Sequence, residues 1–228
     1  AQYLTPENLK HLLSMPDTST PRGRRDLVLL TVLYDTAARV SELVDICMRD
    51  VRLDFPAVIT LHGKGGKIRT VPLMKQTAEL LRSYFAENHI DIRRNPDMPL
   101  FWNGSRRKLT RSGITYIVQK YADMAQELSS GIPAKISPHV FRHTKAMHLV
   151  QANVNPVYIK DYLGHADIST TEVYARADNE AKRAVLEKAT AHLDLPKASH
   201  WEQDTELIEW LSCLLYTSDA ADDRISVD

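Results

Sequence analysis

The chain has 228 residues, 43% hydrophobic and 25% charged, which suits one large globular domain with a small appendage; no apolar run is long enough to span a bilayer. Its 29 basic and 29 acidic residues cancel, but residues 1–197 hold 28 basic against 21 acidic, a net of +7, so a phosphate-binding body is not excluded. Two cysteines, Cys47 and Cys213, exclude a disulfide framework and point to a reducing cytoplasm.

Thr5-Pro6-Glu7-Asn8 predicts a helix start, with a Thr cap, Pro in the first turn and an acid beside the free N–H groups. A second helix is expected from Pro21 to Ala38, its apolar face carrying Leu27, Val28, Leu29, Leu30, Val32 and Leu33. Ser41 is expected to cap a short helix from Glu42 to Met48, with Cys47 as a small core residue in that pattern. Ala57 to Leu61 and Ile68 to Leu73 are rich in β-branched residues and flank a glycine-rich turn, which predicts a β-hairpin. Helices follow at about 75–88 and 110–129, with a short extended piece from Pro99 to Trp102.

The last third is punctuated more sharply. Ser137-Pro138 predicts a helix to about Ala152, and Asn155-Pro156 one to about Leu163, stopped by Gly164. Shorter helices are expected at 169–176 and 179–192, a boundary at Pro196, and an amphipathic helix from Thr205 to Leu211 with Leu207, Ile208, Trp210 and Leu211 on its apolar face. The fold class is mostly α with one small antiparallel sheet (α+β). Residues 1–10 lack the basic start and apolar stretch of a secretory signal. Residues 213–228 are set aside from fold reasoning, either as translated sequencing adapter or as a disordered tail.

Four short motifs carry the chemistry. His139 and Arg142 share one face of the first turn of a helix, where unpaired N–H groups and the helix dipole favour anions. Arginine adds a planar fork suited to phosphate oxygens. Leu163-Gly164-His165 closes the next helix, and Tyr174 follows nine residues later; a tyrosine becomes a nucleophile if its proton is removed. Arg39 stands between two helices, with Glu42 one turn on to hold a neighbour by a charged hydrogen bond. Gly63-Lys64-Gly65-Gly66-Lys67 makes a flexible basic hairpin tip, and its spacing is not that of a P-loop. Read singly, each has a bland alternative: a solvated helix start, a packing tyrosine, a surface ion pair, a solvated turn.

In this order the set resembles the tyrosine recombinase (phage integrase) family, near its Xer-like and mobile-element members. The resemblance runs from about Tyr3 to Ala191 and implies that family's catalytic-domain fold. It implies an active site of Arg39, Lys64, His139, Arg142 and His165 around the nucleophile Tyr174, supported by Glu42. It implies strand cleavage and rejoining through a 3′-phosphotyrosine, without metal, ATP or other cofactor. The partners it implies are double-stranded DNA and three further copies of the chain, as a tetramer on two DNA sites. The expected domain layout is a catalytic domain over 1–197 and a helix over 198–212 docking on a neighbour, without the family's N-terminal DNA-clamping domain. Lys67, Arg69, Arg106, Arg107, Lys108 and Arg111 are candidates for contact with the DNA backbone.

Three competing readings stay open. A type IB topoisomerase uses a similar Arg, Lys and Tyr set. A metal-dependent hydrolase could use His139 and His143, four apart on one helix, with His148 near, although Val140 stands where the HExxH glutamate would be. A non-catalytic DNA-binding fragment would need no Tyr174.

Overall fold

The structure, a computed structural model, describes residues 3–128 and 131–164. The first helix, α1 (Pro6–Leu13), starts as expected, with the Thr5 hydroxyl accepting the Asn8 amide. The Thr20 hydroxyl does the same for Gly23 at the head of α2 (Pro21–Thr36). Val28, Leu29, Leu30, Val32 and Leu33 are buried, which makes α2 the central helix; Leu27 is half-buried. It packs against α1, α4 (Lys75–Glu87) and α6 (Pro138–Gln151). It ends two residues before the expected boundary, because Ala37 turns left-handed at φ 48°.

The next helix corrects the sequence-based expectation. It is α3 (Val40–Asp45), and Arg39 rather than Ser41 occupies the cap position. The Glu42 carboxylate reaches back to accept the Arg39 backbone N–H at 2.8 Å, and this reverse cap fixes the start two residues early. The helix stops at Asp45, and a 3-10 turn covers Met48–Asp50. Cys47 therefore lies between two elements and is half-buried rather than in the core.

Strands β1 (Val51–Arg52), β2 (Val58–His62) and β3 (Ile68–Pro72) form an antiparallel sheet in the order β1-β2-β3. The hairpin was legible; β1, two residues long, carries no periodicity to read. In the register, Ile59 faces Val71 and Leu61 faces Arg69. Ile59, Leu61 and Val71 are buried, so this face of the sheet points inward and carries Arg69 with it. At the tip, Gly65 and Gly66 adopt φ of 76° and 72°, which side chains resist.

Helix α5 (Arg111–Leu128) follows the sheet and α4, and Pro99 and Trp102 sit in isolated bridges, to Cys47 and Lys108. After α6 comes α7 (Pro156–Leu163), which ends at Gly164 with φ 63°. The main core spans α1 to α6. A smaller cluster of Ala37, Ala146, Met147, Ile159 and Leu163 binds α6 and α7 to the end of α2. Among the described residues no helix is long and apolar enough to cross a membrane. The expected helices at 169–176, 179–192 and 205–211, and the segment 213–228, lie outside the described residues.

Candidate active site

The left-handed turn at Ala37 and the first turn of α6 face each other. Between them lies a cavity of about 290 Å³ lined by Ala38, Arg39, Val40, Ser137, Pro138, His139 and Arg142. Arg39 and Arg142 are 103 positions apart in sequence yet share this one enclosure. The first-turn N–H groups of α6 and two guanidinium groups make it suited to an anion.

Arg142 is 3% exposed and is held by main-chain acceptors. Its Nη1 donates to the Ala37 carbonyl at 2.7 Å and its Nη2 to the Leu163 carbonyl at 2.5 Å. It therefore ties the turn that presents Arg39 to the end of α7. His139 is exposed at the cavity.

Arg39 is 46% exposed, with its Nη1 2.9 Å from Glu42 Oε1. Glu42 is buried and also receives Arg69 in a two-pronged ion pair, Nη1 to Oε1 and Nη2 to Oε2, both at 2.8 Å. Burial alone would push the Glu42 carboxyl up. The hydrogen bonds from Arg69 and the Arg39 backbone, with the charge of Arg69, outweigh it and hold the pKa at about 2. Glu42 is thus a fixed negative charge between two arginines.

The hairpin touches the same carboxylate. A Cβ on Gly63 would lie 3.3 Å from Glu42 Oε1, so only glycine fits comfortably at that approach. The next residue, Lys64, is exposed on the tip and does not line the cavity. His165 and Tyr174 lie outside the described residues.

The expected DNA-backbone contacts separate. Lys67, Arg106, Arg107 and Arg111 are exposed. Lys108 is exposed too, but pairs with Asp45 at 2.5 Å. Arg69 departs from the expectation: it is 12% exposed, bonded to Glu42, and its Nε donates to the Tyr162 carbonyl at 3.1 Å. The inward register of β3 aims it at the interior. Alternation from Val71 is the signal in the sequence that could have shown this.

Sequence reasoning missed a buried pair beneath the site, Lys145 and Asp35. Lys145 Nζ lies 3.2 Å from Asp35 Oδ1, and Asp35 Oδ2 accepts the Met74 amide at 2.8 Å. Tyr34 and Tyr162 flank the lysine, and Tyr162 donates to the Asp35 carbonyl. Burial and the Asp35 charge push the Tyr34 hydroxyl up to about 12. A readable signal existed: Lys145 is one turn beyond Arg142 on the face of α6 that the core must cover.

His148 is committed elsewhere. One ring nitrogen meets the Tyr34 hydroxyl at 2.8 Å and the other the Leu4 carbonyl at 2.9 Å, which removes it as a metal ligand beside His139 and His143. A larger cleft of about 500 Å³ lies at the head of α2, lined by Arg22, Arg25, Tyr84, Trp102 and Tyr116 among others. Among the described residues, Arg39, Lys64, His139 and Arg142 do not line it.

Residues 2–181 match the phage integrase family. The chain is 39% identical over 176 residues to tyrosine recombinase XerD of Listeria innocua, an alignment covering 76% of this chain and 57% of that protein. It is 34% identical over 180 residues to tyrosine recombinase XerC of a Roseiflexus species, covering 77% and 55%. The chain therefore spans little more than half the length of these relatives. Among solved structures, XerA recombinase superposes with a TM-score of 0.68 at 27% identity, over 83% of this chain and 65% of that one. XerH site-specific recombinase, in a post-cleavage complex with its palindromic difH substrate, gives 0.67 at 26% identity, over 84% and 53%. With these matches added to the cavity that joins Arg39, His139 and Arg142, the chain belongs to the phage integrase family of tyrosine recombinases.

Proposed function

We propose that this chain is the catalytic domain of a site-specific DNA recombinase that acts through Tyr174. The observation that carries the reading is the single cavity lined by Arg39, His139 and Arg142. A DNA phosphodiester resists attack because it is anionic and its leaving alkoxide is poor; a catalyst must neutralise the first and protonate the second. Arg39 and Arg142 take the non-bridging oxygens, with Glu42 holding Arg39 in place. His165 adds a hydrogen bond to the same phosphate.

Tyr174 loses its proton with the help of His139 and attacks phosphorus in line. The bond to the 5′ oxygen breaks, Lys64 protonates that oxygen, and a 3′-phosphotyrosine remains. The 5′-hydroxyl of a partner strand reverses the step, which releases the tyrosine and seals the exchanged strand. The phosphotyrosine conserves the bond energy, so ATP is not required. The arginines and lysine supply the charge that metal ions supply in other nucleases. The partner is double-stranded DNA, and the working assembly is a tetramer of the chain on two sites, with the Thr205 to Leu211 segment docking on a neighbour.

A labelled, nicked duplex pool of randomised sequence tests the reading on a denaturing gel. The wild-type chain is expected to leave a protein-linked strand, and Tyr174→Phe to leave none while still binding duplex. An undiminished adduct in Tyr174→Phe would overturn the assignment.

A further inference from the structure

We propose that Arg69 is a positioning residue, which locks the Arg39–Glu42 helix start to the turn that leads into His165. This rests on the function proposed above. Three segments expected to carry chemistry meet at its side chain. Arg69 sits on β3, the strand that returns from the Lys64 tip. Its guanidinium grips both oxygens of Glu42 at 2.8 Å, and Glu42 in turn holds the backbone and side chain of Arg39. Its Nε caps the Tyr162 carbonyl at the end of α7.

Helix α7 shows why the contact matters. Its last carbonyls lack intrahelical partners and carry the negative end of the dipole. Arg69 takes that of Tyr162, and Arg142 takes that of Leu163. The helix end is thus held by two arginines, one from the sheet and one from the cavity. Gly164 then passes so close that a Cβ there would lie 3.0 Å from Arg69 Cδ and 3.1 Å from its Nη1. The left-handed φ of 63° and this close approach both favour glycine immediately before His165.

A second arginine on Glu42 also solves a charge problem. With Arg39 alone, the buried carboxylate would hold the full attention of the guanidinium that must meet phosphate. Arg69 satisfies both carboxylate oxygens in a planar fork-to-fork pair, and leaves Arg39 a single side-chain bond to Glu42 through Nη1. Lysine cannot reproduce that geometry, because it is a point charge without the fork.

Arg69→Lys and Arg69→Gln in the full chain separate positioning from DNA contact. Three readouts are compared with wild type: the salt dependence of binding to a mixed-sequence duplex, the maximal rate of adduct formation on the nicked pool, and amide hydrogen exchange without DNA. A positioning role predicts an unchanged salt slope, an unchanged half-saturating DNA concentration, and a maximal rate at least about tenfold lower. It also predicts faster exchange at the amides of Arg39, Leu43 and Gly164. A phosphate contact predicts instead a slope shallower by about 0.9 and undisturbed exchange, and that result would overturn the proposal.

Gly164→Ala, which presses on the same contact from the other side, is expected to loosen the same amides. It keeps the test decisive if Arg69→Gln fails to fold. If the wild-type chain forms no adduct, the proposed function fails on its own, and the exchange and salt-slope readouts still decide the role of Arg69.

Discussion

Arg142 donates to the carbonyl of Ala37, two residues before Arg39, across 2.7 Å. One arginine of the anion cavity therefore braces the turn that presents the other. That turn is strained, because Ala37 is a non-glycine residue at φ 48°. The proposed phosphate grip and the architecture therefore share this point, and substitutions there are expected to affect both.

Arg142→Lys keeps the charge but cannot bridge Ala37 and Leu163 with one planar group. Adduct formation is expected to fall by about two orders of magnitude or more, the scale seen when a charge-stabilising donor is lost. The thermal midpoint should also drop by several degrees, since a buried, hydrogen-bonded group is disturbed. Calorimetry beside the gel assay checks both; full activity in a destabilised Arg142→Lys would remove the arginine from the site.

Glu42 sets an acid limit on stability. Its carboxyl is held at about 2, below its ordinary 4.5. A depressed carboxylate contributes stability that is complete above its unfolded value and is lost as pH falls through the folded value. A gap of this size corresponds to about 3 kcal/mol, as an order of magnitude. In urea titrations, the advantage of wild type over Glu42→Gln should shrink as pH falls from about 4.5 toward 2. A difference that stays constant across that window would mean that the Arg69 pair does not set the titration.

Lys145 and Asp35 are each nearly buried, so removing one partner strands the other charge. Lys145→Met alone is expected to cost about 3–5 kcal/mol. Lys145→Met with Asp35→Asn should recover part of that, because no full charge is left unpaired. Denaturant midpoints of the two variants and wild type check the order.

Gly23 gives a packing test far from the cavity. A Cβ there would lie 1.9 Å from the Asp17 carbonyl oxygen, so Gly23→Ala must displace backbone rather than a flexible side-chain end. A loss above about 1 kcal/mol is expected, in the range of overpacked sites. Adduct formation by the fraction that remains folded should be normal, since this helix head lies one α2 length, about 24 Å, from the Arg39 turn.

Much of the site was legible because its motifs are local. His139 and Arg142 follow from Ser137-Pro138, a helix start that places them one turn apart on one face. Gly164 follows from the need for a left-handed stop. The charge of Arg69 makes it a candidate for contact with the DNA backbone, and only its strand register shows that it is bonded to Glu42 and Tyr162 in the interior. Ser41 carries the usual capping hydroxyl, whereas the Glu42 carboxylate performs the cap by reaching backward to the Arg39 amide.

The sequence by itself determined the family motifs, the helix starts and stops after Thr5, Ser137 and Asn155, and the glycine tip of the hairpin. Each is set by backbone preferences within a few residues. Only the tertiary structure decided that Arg39 and Arg142 share a cavity, that Glu42 serves two arginines, and that Lys145 is neutralised by Asp35. Those pairings join segments dozens of residues apart. The Glu42–Arg69 and Lys145–Asp35 pairs exist because packing α2, α6 and the inward face of the sheet together leaves these charged groups little water, and so each finds a partner across the core.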